Sequence, residues 1–139
     1  MTRTRIIAAV FLAGIAYLVI GLVSAALAGR AGLTPMRTFW RLSAFIASGI
    51  IFLAHIAHEH FRLRSLPVTT AWHTSAAVAF GGFALAVAAI VHSYIAGTGQ
   101  RGLLTLALIM WPLITGTPAF VAAFVLTYVA RKYALSSAR

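Results

Sequence analysis

The chain contains no cysteine. That excludes disulfides, thiolate metal sites and a cysteine nucleophile. Acid is almost as scarce, since Glu59 is the only acidic residue among 139, against eleven lysines and arginines. A hydrolytic triad needs a carboxylate, a base and a nucleophile in contact, and here only Glu59 could supply the first. The HExxH zinc-protease pattern is missing, because His58-Glu59 is followed by His60 and Phe61, with Arg62 where the second histidine should stand. No glycine-rich phosphate loop exists either: "GTGQRG" (97–102) lacks the P-loop lysine and leads into a hydrophobic span. No polar stretch is long enough for a second domain, and no repeat is evident. The chain is not expected to have catalytic activity of its own.

Apolar sequence is what the chain has in abundance. Hydrophobic residues make up 62% and charged residues 9%, where a soluble domain carries about 25% charged residues. A helix needs about 20 apolar residues to cross a bilayer. Four stretches qualify: 6–28, 42–60, 73–96 and 103–130. The expected fold is an all-α integral membrane protein, a single four-transmembrane-helix antiparallel bundle over residues 1–139. The loop at 29–41 contains Gly29, Gly32 and Pro35, the loop at 61–71 contains Pro67, and "GTGQRG" is a tight turn. Arg3 and Arg5 before an apolar run that ends in "ALA" (26–28) have the outline of a signal peptide. The run is longer than the roughly 7–15 residues of a signal h-region, so it is read as a retained helix.

The formal charge of +10 raises the question of nucleic acid. The cations form no patch. They sit in small groups between the apolar runs, as membrane-interface cations do, and nucleic acid is excluded as a partner. Arg3, Arg5, Arg62, Arg64, Arg131, Lys132 and Arg139 fall on one side of the predicted bundle, and Arg30, Arg37, Arg41 and Arg101 on the other. The positive-inside rule then places both termini in the cytoplasm. The expected location is a bacterial cytoplasmic membrane. Phe39, Trp40, Trp72, Tyr94, Tyr128 and Tyr133 lie near the predicted boundaries, as an aromatic belt requires.

Small residues mark the faces that meet. At 100° per residue, His73, Ala77, Gly81, Ala84, Ala88 and His92 share a stripe on the third span. This stripe is expected to face the bundle, with Phe83 and Leu85 facing lipid or a partner. Ala44, Ser48, Ile51, His55, His58 and Glu59 form a matching stripe on the second span, and His60 faces elsewhere. Pro112 and Pro118 bracket Thr115, Gly116 and Thr117 in the fourth span and are expected to kink it. The carbonyls they free must find partners inside the protein.

"HIAHEH" (55–60) concentrates the polar chemistry. Glu59 and Arg62 are spaced i, i+3, which suits an ion pair closing the helix end. His55 or His58 could face His73 across the second and third spans. Two such imidazoles can ligate a b-type haem axially, as in membrane cytochromes b and in small anchors of quinone-linked dehydrogenases. His92 lies about 28 Å further along the helix and cannot share that haem. A metal held by His55, His58, Glu59 and His73, and a proton relay through them, are further options.

The leading expectation is a small integral membrane subunit that scaffolds or anchors a larger assembly, in contact with lipid and with other membrane subunits or copies of itself. A bis-histidine haem b protein is the alternative, and a small oligomeric transporter or channel the next.

Overall fold

The computed structural model describes residues 3–97 and 101–136. They form four long helices: α1 (Arg3–Arg30), α2 (Thr34–Ala57), α3 (Pro67–Ala96) and α4 (Arg101–Ser136), with a π-helical turn, His58–Arg62, extending α2. All four are long and apolar enough to cross a membrane.

Two helix starts lie well before those of the sequence reading, and proline is the reason for both. α2 begins at Thr34 rather than Leu42, and α3 at Pro67 rather than His73. Pro35 and Pro67 sit in the first turn of their helices. There the missing N–H removes no bond and the fixed φ suits the helix. The link between α1 and α2 therefore shrinks to residues 31–33, and Arg37 Nε donates to the Ala31 carbonyl across it (2.8 Å). α3 ends at Gly97, whose φ of 65° is left-handed and whose N–H bonds to Ser93 O.

The helices pack as a row, α4–α3–α1–α2. α3 is an inner member and has two buried faces where one stripe was expected. Ala77 and Gly81 meet α1. A Cβ on Gly81 would lie 2.6 Å from Tyr17 Cβ and 3.1 Å from Gly14 O, and Phe80 crosses the backbone of Gly14. Phe80 also packs edge-to-face on Phe11, centroids 5.0 Å apart. Leu85, assigned above to lipid or a partner, packs instead against Gly21 of α1, because α3 has a neighbour on both flanks. The second face meets α4. Gly82 lies against Trp111 and Thr115, Ala79 lies against Gly116, and Ser75 Oγ donates to the Gly116 carbonyl at 2.8 Å. Such small-residue contacts and interhelical hydrogen bonds are how apolar helices associate when their outer faces are equally apolar. Of the predicted stripe, Ala77 and Gly81 are buried and His92 is exposed.

α4 runs unbroken through Pro112 and Pro118. Thr115 Oγ1 donates back to the Trp111 carbonyl (2.8 Å), which supplies local hydrogen bonding beside the prolines.

α2 touches α3 only lightly. At its C-terminal end Ile56 packs with Ala71 of α3 and Ala123 of α4, flanked by Phe52, Phe120 and Phe124. Over Ala44–Phe52 it stands away, and an open-sided groove of about 600 Å³, lined by all four helices, lies there.

Gly81→Ala is expected to destabilise the protein by roughly 1–3 kcal/mol through overpacking against Tyr17 and Gly14. Gly49→Ala, with nothing within 4 Å of the added methyl, is expected to raise stability by up to about 1 kcal/mol as a helix substitution. Thermal unfolding of both variants in one detergent tests the pair; equal effects would refute the close approach.

Candidate functional site

Glu59, the one acidic side chain, is completely buried. A carboxylate withdrawn from water must have its lone pairs satisfied. Ser65 Oγ donates to Glu59 Oε2 at 2.7 Å, and His73 Nδ1 lies 3.0 Å from Glu59 Oε1. Where the carboxyl is an acceptor in this contact, the hydrogen stands on His73 Nδ1. The arrangement joins the end of α2 to the start of α3 and to the loop between them.

The local backbone brings these groups together. The π-helical turn carries the Leu63 N–H back to the His58 carbonyl (3.3 Å), and the Ser65 N–H bonds to the Glu59 carbonyl (3.2 Å). Between them Arg64 adopts φ 50°. This left-handed state costs a non-glycine residue about 1–2 kcal/mol, and it reverses the chain so that Ser65 returns to Glu59. π-turns recur at functional sites.

The expected Glu59–Arg62 ion pair does not form. Glu59 binds His73 and Ser65, while Arg62 is exposed. The wider π turn is the reason: it takes one more residue to come round, so position i+3 falls short of the face that Glu59 occupies.

The candidate residues separate into two groups. His55, Glu59 and His73 gather where α2 meets α3. His55 is 8% exposed and its Nε2 has no hydrogen-bond partner. His58 is exposed, and His60 packs edge-to-face on Phe61. Among the described residues no three histidine or carboxylate side chains converge to hold a metal ion. Pro112 and Pro118 belong to α4, away from this cluster, and line the grooves beside it.

Sequence reading missed Thr70 and Thr74. Both are fully buried on α3, one turn apart and flanking His73, with no partner for their hydroxyls. Thr127, by contrast, bonds its own helix at Ala123 O (2.7 Å). A helical threonine ordinarily has that option, so the sequence carried no signal that two would go without it. With His55 Nε2 they are three of the four unpaired buried side-chain polar atoms among the described residues, the Tyr17 hydroxyl being the fourth, each costing roughly 1–3 kcal/mol.

No family model, curated protein or solved structure matches the chain.

Glu59→Ala strands His73 and Ser65 and is expected to cost about 1–3 kcal/mol. Glu59→Gln keeps one acceptor and is expected to cost less. Arg62→Ala is expected to change stability by no more than about 0.5 kcal/mol. Unfolding midpoints of the three variants decide the matter: a large Arg62 effect beside a small Glu59→Ala effect would restore the ion pair.

Proposed function

We propose that the chain crosses a bilayer four times, with successive helices antiparallel and both termini cytoplasmic, and that it is a small integral subunit scaffolding or anchoring a larger membrane assembly. The observation that carries this reading is the near-absence of chain between helices: the links at 31–33 and 63–66 are only long enough to turn. Among the described residues these links offer little chain outside the helices on which a soluble substrate could be held, so in this reading that work falls to a partner. The open row of helices supports the same reading. Large apolar side chains such as Phe45, Ile46, Phe61, Ile95 and Ile109 point outward along its length, available to lipid and to neighbouring subunits or copies of the chain. The cations set the orientation by the positive-inside rule, in keeping with a bacterial cytoplasmic membrane. Gel filtration and crosslinking in mild detergent are expected to show a particle larger than the 14.8 kDa chain; a lone monomer at all detergent levels would refute the reading.

A second reading has its own support. Metal-ligating histidines characteristically give their other ring N–H to a carboxylate. His73 Nδ1 lies within hydrogen-bond distance of Glu59; with the hydrogen on that nitrogen, Nε2 is left to act as a ligand, and His55 Nε2 is buried without a partner. These are the features that bis-histidine ligation of haem b requires. Absorption spectra of the protein made with ample haem, oxidised and then dithionite-reduced, test this. A Soret shift with a reduced α-band, lost in both His55→Ala and His73→Ala, is the expected result; a flat spectrum removes the haem reading.

A further inference from the structure

The central groove does not end at mid-helix. A second groove of about 500 Å³ opens between α1 and α2, and it shares Gly21, Ala44 and Phe45 with the first. The two adjoin at these residues, so that together they reach from the start of α2 to Gly81 of α3. The lining is mostly apolar, with Ser24, Ser48, Thr115 and the unpaired Tyr17 hydroxyl among it, and the one charged end carries Arg37 and Arg41, one helical turn apart. Arg37 is held in place through Nε to Ala31 O, which leaves the rest of its guanidinium to donate elsewhere. Neither arginine has a carboxylate in this chain to pair with, since the one acidic side chain is committed to His73 and Ser65.

We infer that this channel binds one anionic phospholipid, its headgroup phosphate on Arg37 and Arg41 and an acyl chain along the groove toward Gly81. The inference rests on the membrane reading above. Charge selects the headgroup: guanidinium forks match phosphate oxygens, and a cationic end on a mostly apolar, otherwise uncharged channel suits a ligand charged only at one end. Shape selects the tail. Each groove lies within the roughly 300–1,000 Å³ of small-molecule sites. A packed partner helix is about 10–12 Å across, so a groove of this size takes on the order of one turn of it. A slender chain can follow the groove along its length. A bound lipid would also fill the space that α2 leaves by standing off α3 and α4.

The test uses the full chain reconstituted in phosphatidylcholine nanodiscs with spin-labelled phosphatidylglycerol or phosphatidylcholine. Wild type is expected to immobilise phosphatidylglycerol at least several-fold more strongly. R37Q/R41Q should abolish that preference, and Ala44→Phe, which fills the channel, should release the immobilised lipid. R131Q/K132Q removes the same charge from an exposed stretch of α4 and should leave the preference intact. Equal loss in R131Q/K132Q would mean general surface charge and overturn the inference. So would a preference that survives R37Q/R41Q, one reproduced by competition with inorganic phosphate alone, or a photocrosslinker at position 45 that captures protein rather than lipid. Alkaline carbonate extraction of the native membrane separates the two levels. Release of the chain would overturn the membrane reading as well; retention without phosphatidylglycerol preference overturns this inference alone.

Discussion

Glycine and alanine along α3 let two other helices reach its backbone, and the rest of the arrangement follows from that approach. The outward faces of these helices are as apolar as the inward ones, so burial of apolar surface gives little reason to choose one face over another. Close contact does. Gly81 admits Tyr17 and Gly14 on one side; Gly82 and Ala79 admit Trp111, Thr115 and Gly116 on the other. A methyl group at these points would push the backbones apart and forfeit the dispersion contacts that hold them. With both flanks of α3 taken, α2 lies mainly on α1 and reaches α3 and α4 only at its C-terminal end, so the helices form a row.

The buried Glu59 then decides how α2 is held. Its carboxylate reaches His73 on α3 and Ser65 in the loop, and Ile56, a turn earlier, packs onto Ala71 and Ala123. Polar and apolar contacts therefore coincide at one end of α2, and nothing comparable lies further up. This clasp at one end and separation along the rest give the channel its shape. The energetic asymmetry is large: a carboxylate in an apolar surround has to be paired, whereas the aliphatic stretch from Ala44 to Phe52 is compatible with lipid or protein beside it. The backbone distortion around Arg64 belongs to the same clasp, because the left-handed turn returns Ser65 to the carboxylate.

The same scarcity of acid links the two ends of the molecule. A single carboxylate serves His73 at one end of α2, and the arginines at the other end have none to pair with. Any anion they meet comes from outside the chain. In the bilayer that we propose surrounds the protein, phosphate is the anion at hand.

The sequence by itself determined the four apolar helices, because length and hydropathy act residue by residue and need no neighbour. It also determined the small-residue contact at Ala77 and Gly81, since helical periodicity alone groups them, and it brought His55, Glu59 and His73 forward as candidates. Pro35 and Pro67 were legible as breaks in the apolar pattern but not as helix starts. A proline marks a boundary without saying on which side of it the helix lies. Tertiary structure decided the rest. Which partner Glu59 takes depends on a π turn that shifts Arg62 off its face, and on a loop folded back through Arg64. Leu85 turned inward because α3 is flanked twice, and the burial of Thr70 and Thr74 follows from the same packing. Helix order in an apolar protein is set by which backbones can approach, and close approach is a property of pairs of surfaces. No single segment encodes it.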